Sequence, residues 1–353
     1  MKSIRLPGLI DVHVHLRDPG QTEKEDFYTG TSAAVAGGFV TVIDMPNNTY
    51  PITTYERLKE KMKRVRQKAV CSVGLYAGSL GDNPEELRLM EPYVMGLKLY
   101  LNRTTGNFLI DKESLERIFS YWDSQKPILV HGEEDILPDI LQVVAQTKKR
   151  LHVCHVSKKS ELSLILEAKK AGLPVTCGVT PHHLFLTNEN VKKLGTYALM
   201  KPELGTSADQ NYLWDHLSEI DMIESDHAPH TIAEKHSASP PFGVPNLDTT
   251  LPLLLTAVSQ NRLTMDEVIR LCHTNPARLF NIATDKDTYV EIDPEEEYTV
   301  RQSDLKTKCA WSPFEGWAMK GRVKKTVIKG KVAFENGYVL AKPGSGVLLS
   351  VKT

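Results

Sequence analysis

The stretch GLIDVHVHLRDPG (8–20) sets two histidines two residues apart, His13 and His15, and follows them with Arg17. Neutral imidazole is a first-choice ligand for Zn²⁺, and guanidinium binds carboxylate as a two-pronged fork. On a β-strand successive side chains alternate, so Asp11, His13 and His15 are expected on one face and Ile10, Val12, Val14 and Leu16 on the other. An isolated His-X-His more often belongs to a surface or to a satisfied core. The pattern carries chemistry only if other segments bring further ligands to the same place.

Other segments supply such groups. Short apolar, β-rich runs alternate with amphipathic stretches from residue 8 to about residue 280, the pattern of a parallel sheet with crossover helices. The strand candidates are Leu9 to His15, Phe39 to Asp44, Val70 to Tyr76, Gly96 to Leu101, Ile128 to His131, Leu151 to Val156, Pro174 to Thr180 and Asp221 to Ser225. Helical patterns lie between them, as at Lys24 to Ala36, Tyr55 to Lys68, Leu115 to Trp122, Ile136 to Lys149 and Lys159 to Ala171. Eight such units predict an α/β chain folded as a TIM (β/α)8 barrel, whose site lies at the C-terminal ends of the strands. A doubly wound sheet is the rival, but no glycine-rich dinucleotide fingerprint follows the first strand. Read at the strand ends alone, the chain offers His13 and His15, Asn47, Lys98, His131, His155, the pair His182 and His183, and Asp226 with His230. Four histidines and an aspartate exceed the needs of one tetrahedral site, which points to two metals sharing a bridge.

Lys98, in the apolar GLKLYLN, is the odd member. A buried ammonium carries a desolvation cost and has the wrong sign beside metal ligands. Two readings are open: a lysine paired to a nearby carboxylate, or one modified to a carbamate, whose two oxygens could bridge two metals.

The bulk numbers exclude several classes. Lys plus Arg is 43 against Asp plus Glu 44, so no basic surplus points to nucleic acid or an anionic membrane. Five scattered cysteines without a Cys-X-X-Cys pair argue for a reducing compartment. No segment reads as a signal peptide or a membrane span, so a soluble, cytoplasmic protein is expected. After about residue 285 the texture shifts to alternating apolar and charged residues with Asn336-Gly337, predicting a small antiparallel β appendage and a hairpin near Glu335 to Tyr338. The expected division is a barrel over 8–285 with the appendage built from 1–7 and 286–353. The Pro-rich SASPPFGVP (237–245) reads as a loop beyond the last strand.

The ordered set GLIDVHVHLR, MPN at 45–47, GLKLYLN at 96–102, the His131-Gly132-Glu133 strand end, HVCHV at 152–156, TPHHLFL at 180–186, KPELG at 201–205 and SDHAPH at 225–230 resembles the cyclic amidohydrolases. Within them the chain is similar to dihydroorotases, above all to the dihydroorotase domain of the animal multifunctional pyrimidine-synthesis polypeptide. The resemblance extends through LPLLLTAVS at 251–259 and WSPFEGWAMKGRV at 311–323. It implies a reversible cyclisation of N-carbamoyl-L-aspartate to L-dihydroorotate and water, run by a hydroxide shared between two Zn²⁺. It makes His13, His15 and Asp226 ligands of one zinc and His131 and His155 ligands of the other, with Lys98, N6-carboxylated, bridging both. It gives Asp226 the general acid/base role. Arg17, Asn47 and His230 match positions that hold the substrate carboxylate. Thr104 matches a closing loop, and Pro241 and Gly243 match a loop touching substrate through its backbone. A homodimer, and association or fusion with other enzymes of pyrimidine synthesis, are also implied.

Some positions depart from the family pattern. Cys177-Gly178-Val179 lacks the glutamate that the animal-type domain carries there, so no third zinc is expected. Alternation puts Cys154 opposite His155 as a small core residue. Lys201 stands for an arginine near the substrate, keeping charge without the fork, and Thr105 replaces a bulky aromatic. A structural or supporting role is expected for His182 and His183, and His227 is expected to point into the scaffold. His152, His216, His236 and His273 have no partner pattern. Two alternatives compete: a dihydropyrimidinase, hydantoinase or allantoinase acting on a neutral ring, which does not need Arg17 and His230, and an inactive scaffolding relative, which the complete ligand set opposes.

Overall fold

The computed structural model describes residues 3–102 and 108–349. Eight strand positions run in parallel: Leu9–Val14, Phe39–Asp44, Ser72–Leu75 continued by Ala77–Gly78, Leu97–Tyr100, Ile128–His131, Leu151–Val153, Val175–Val179 and Met222–Ile223. Each pairs with its neighbour in chain order. The third position is split because Tyr76 interrupts it; Met95 N donates to Leu75 O at 2.8 Å and Ala77 N to Gly96 O at 3.1 Å, carrying the sheet across the break. Closure comes from the eighth strand's end, where Val14 bridges His227 and His15 N donates to His227 O at 2.8 Å. The result is the expected (β/α)8 barrel, with several strands shorter than their apolar runs.

Helices such as Phe27–Ala36, Tyr55–Lys68, Leu137–Thr147 and Lys159–Lys170 cover the barrel. Their starts follow ordinary capping chemistry: Asp26 accepts from Tyr28 N and Thr29 N, and Thr54 accepts from Arg57 N. A large apolar cluster fills the layer between helices and strands, and a smaller one, including Ile10, Val12, Ile43, Tyr76, Leu129 and Met222, fills the barrel interior.

That partition corrects the strict alternation expected of the first strand. Pairing with Phe39–Asp44 slips between Asp11 and Val14. Ile10 and Val12 therefore lie in the interior cluster while Val14 and Leu16 pack outward, and His13 and His15 project at the strand's end.

The appendage is a five-stranded antiparallel sheet in the order Ile4–Pro7, Tyr289–Thr299, Ala318–Ile328, Lys331–Glu335, Tyr338–Val339. Asn336 and Gly337, with φ of 48° and 89°, make the expected hairpin turn. Between two of its strands the chain leaves the sheet to pack on the barrel mouth, with Val300, Cys309, Trp311 and Phe314 against Leu186, Met200 and Val244. Among the described residues no helix is long and apolar enough to cross a membrane.

Candidate active site

At the mouth of the barrel His13, His15 and Asp226 converge, all buried, with one ligand atom from each within 4.8 Å of the others. Asp226 Oδ1 stands 3.4 Å from His13 Nε2 and 3.1 Å from His15 Nε2. Asn47 Oδ1 accepts from His15 Nδ1 at 2.7 Å. That bond keeps the ring's proton on Nδ1 and leaves a bare lone pair on Nε2 facing a carboxylate oxygen. Two acceptors face each other, an arrangement that a cation between them relieves. Burial pushes His13 down to about 4, although Asp226 and Glu224 oppose the shift, and burial lowers His15 as well. Neutral imidazole and ionised carboxylate are the protonation states a metal ligand needs.

His131 Nδ1 and His155 Nε2 lie 3.1 Å apart on the other side of the pocket, and the His13 and His155 rings are 4.9 Å apart between centroids. Glu133 Oε1, 3.4 Å from His131 Nε2, holds that ring's proton away from the pocket. Burial lowers both His131 and His155. Lys98 is fully buried between these groups. Its Nζ donates to Cys154 Sγ at 3.1 Å and lies 4.9 Å from the Tyr100 ring centroid. Among the described residues it makes no ion pair with a carboxylate, so the first of its two readings finds no partner.

The donor set therefore fits two cations. His13, His15 and Asp226 would hold one, His131 and His155 the other, and Lys98 lies between them as the sole side chain from the fourth strand with a nitrogen to modify.

The polar wall beside this cluster holds Arg17 and His230. Arg17 has φ 64°, and its Nε donates to Pro229 O at 3.1 Å. Arg17 Nη2 and His230 Nε2 are 3.1 Å apart, close enough for one carboxylate to span both. Lys24 Nζ stands 3.4 Å from His230 Nδ1, and Phe242 O lies 2.9 Å from its Nε2. Lys201, Phe242 and Gly243 also line the cavity, and Lys201 Nζ pairs with Glu203 at 2.8 Å. Gly243 has φ 131°, and a Cβ there would lie 2.7 Å from Ala228 O, so only glycine fits. Pro241 stands just behind this wall, its carbonyl turned to Lys235 at 3.0 Å. Thr104 and Thr105 lie outside the described residues.

Asn47 lines the cavity with Arg17 as the substrate-binding expectation requires, and its Oδ1 also engages His15. Two expectations change in detail. Cys154 does not face away from the site: His155 takes φ 41°, which breaks the strand's alternation and brings its ring to the same side as Cys154. His152 is not an ordinary residue, since its Nε2 lies 3.4 Å from Glu224 Oε2.

Glu224 itself was not anticipated. It is fully buried, faces His13 Nδ1 at 3.4 Å and accepts from the His155 backbone N–H. With His13 and Cys154 it forms a second group of potential ligands. Tyr100, stacked on His131 at 6.4 Å, also lines the cavity unannounced. His183 and His227 sit in the scaffold as expected, held by Thr180 and Pro202 O and by Glu25 and Asn246 N. His182 takes Asn246 Nδ2 at 2.9 Å.

A barrel with a buried imidazole and carboxylate cluster at the strand ends, flanked by a wall bearing Arg17 and Lys201, defines a metal-dependent hydrolase. The chain belongs to the amidohydrolase family, whose profile matches residues 4–333. It is 45% identical to the multifunctional protein CAD of Squalus acanthias over 98% of this chain and 16% of that protein. It is 37% identical to the dihydroorotase of Pyrococcus horikoshii over 96% of this chain and 83% of that enzyme. The chain thus spans only 16% of the length of the CAD relative and, likewise, of the Dictyostelium discoideum protein pyr1-3, to which it is 42% identical. Among solved structures it superposes on the L-hydantoinase of Arthrobacter aurescens with a TM-score of 0.93 at 24% identity, covering 99% of this chain and 89% of that one, a likeness of fold. It also superposes on the inactive dihydroorotase-like domain of a Chaetomium thermophilum CAD-like protein with a TM-score of 0.85 at 29% identity, covering 99% of this chain and 100% of that one.

Proposed function

We propose that this chain is a dihydroorotase, interconverting N-carbamoyl-L-aspartate and L-dihydroorotate plus water at a two-zinc site with a carboxylated Lys98. The observation that carries the reading is the Arg17 and His230 pair, 3.1 Å apart beside the metal-ligand cluster. A neutral cyclic amide offers that pair no carboxylate, whereas dihydroorotate carries one on its ring. The archaeal dihydroorotase of Pyrococcus horikoshii, 37% identical to this chain, agrees with this substrate class.

Metal bound here would lower the pKa of a coordinated water to about 7 and polarise the amide carbonyl. The remaining work falls to the chain's own groups. Arg17 and His230 hold the carboxylate, and Lys201 adds positive charge on the same side. Backbone groups of Phe242 and Gly243 border the ring. Asp226 takes the proton of the attacking water and returns it to the ring nitrogen as the amide bond breaks; in the cyclising direction it moves the same proton the other way. The barrel carries all of these residues and Trp311 of the appendage braces them, whereas residues 344–349, expected in the appendage, rejoin the barrel at Ala69 and Val73.

The test is turnover of L-dihydroorotate and of dihydrouracil by the purified protein, with metal content on the same sample and Lys98→Ala beside it. Turnover of dihydroorotate alone with about two zinc per chain is the expected result. Preference for dihydrouracil would replace the substrate assignment with a dihydropyrimidinase-type one. Absence of both metal and turnover would move the chain to the inactive, scaffolding relatives.

A further inference from the structure

We propose that Lys235 is a positioning residue that fastens the non-metal wall of the substrate pocket. It ends the short helix Ile232–Lys235, just beyond the eighth strand, and is fully buried. Its Nζ donates to Leu199 O at 3.1 Å, Pro241 O at 3.0 Å and Gly243 O at 2.9 Å. An ammonium has three N–H donors, and here each meets a backbone carbonyl. Among the described residues no carboxylate pairs with it; the indole of Trp311, 5.4 Å from Nζ to the ring centroid, covers it instead.

The three carbonyls belong to two separate segments, and both face the pocket. Leu199 lies two residues before Lys201, and Pro241 and Gly243 flank Phe242; Lys201, Phe242 and Gly243 all line the cavity. The same wall is cross-linked once more, since Gly243 N donates to Leu199 O at 2.9 Å and His230 Nε2 meets Phe242 O at 2.9 Å. Trp311, above Lys235, donates its indole N–H to His230 O at 2.7 Å. One buried lysine side chain therefore sets the spacing between Lys201, the Phe242–Gly243 backbone and His230. A lysine whose task was only to fill space would not place every donor on a segment that borders one cavity. Removing the ammonium would leave three buried carbonyls without donors and free the two segments to separate.

The proposal rests on reading this cavity as the substrate site. Its test is Lys235→Met in the metal-loaded protein, with kcat, KM for L-dihydroorotate, metal content and deuterium uptake measured together. Expected are a rise in KM of about tenfold with kcat changed less than about threefold, unchanged metal content, and faster uptake confined to peptides covering 199–201 and 241–244. Unchanged KM and uptake would overturn it. So would a uniform rise in uptake with kcat and metal content falling together, which marks general destabilisation. Should the methionine variant not fold, Lys235→Arg keeps charge and donors but spreads them on a plane; there a raised KM supports the proposal and an unchanged one refutes it. If the wild type does not turn over L-dihydroorotate, the functional reading fails, and the local uptake alone still decides the part played by Lys235.

Discussion

Glu224 and Gly178 share one space between the seventh and eighth strands: a Cβ on Gly178 would lie 2.5 Å from Glu224 Oε1. The absent side chain on one strand is what admits the carboxylate of the other. Burial would raise Glu224, but His13 and His152 hold it below its ordinary range, so it faces His13 as an anion. A carboxylate against the far nitrogen of a metal-binding imidazole orients the ring and strengthens it as a ligand.

Gly178→Ala is therefore expected to displace Glu224, and Glu224→Gln to remove its charge. Each should weaken metal retention or turnover by roughly 10-fold to 100-fold. Titrating bound metal with a chelator, beside kcat, checks both. Retention equal to wild type in both variants would show that Glu224 only fills the gap.

Lys98 yields a second expectation, because its two chemical forms have opposite charge. Lys98→Ala and Lys98→Arg should both lose activity by about 100-fold or more, with metal content falling. Arginine preserves the positive charge, so activity retained by Lys98→Arg alone would show that a cation, not a bridging carbamate, is what the site requires.

Arg17 should separate substrates. Arg17→Lys keeps the charge and loses the fork, and KM for L-dihydroorotate is expected to rise about tenfold or more with a smaller effect on kcat. Activity on a neutral ring should not respond. Equal losses on both would mean that Arg17 supports the barrel mouth through Pro229 O rather than binding a carboxylate.

The site was legible where a ligand type sat at the end of an apolar run, as with His13, His131 and Asp226, because strand ends in a barrel share one face. It was not legible where backbone geometry departs from the regular strand. Positive φ at His155 brings its ring to the same side as Cys154, and the slip after Asp11 sends Val14 outward while Val12 stays in the interior. Glu224 reads in IESDHAPH as one more acid on a polar strand end, and only the neighbouring strand's Gly178 explains its burial. Lys235 follows Glu234 in what looks like a solvated charge pair. Its burial depends on Trp311, far away in sequence and beyond any local pattern. The segment from Val300 to Trp317 looked like part of a separate sheet, yet it closes the barrel mouth.

His183, which is not itself among the proposed metal ligands, supplies a further pH dependence. Its Nδ1 accepts from the Thr180 hydroxyl at 2.8 Å and its Nε2–H donates to Pro202 O at 3.1 Å, so the neutral ring is fully satisfied. Burial lowers it from 6.5 to about 4, with the bond to Pro202 opposing. A histidine depressed in the folded state contributes stability that is present above the unfolded value and is lost as pH falls from about 6.5 through about 4. A shift of that size corresponds to on the order of 3 kcal/mol when complete. His183→Gln keeps a donor for Pro202 O and does not titrate. Urea unfolding of the metal-free protein should therefore show a smaller loss of stability for the variant than for wild type between pH 7.5 and pH 4.5. Equal slopes would mean that His183 is protonated without cost, and that Pro202 and Thr180 do not fix its neutral form.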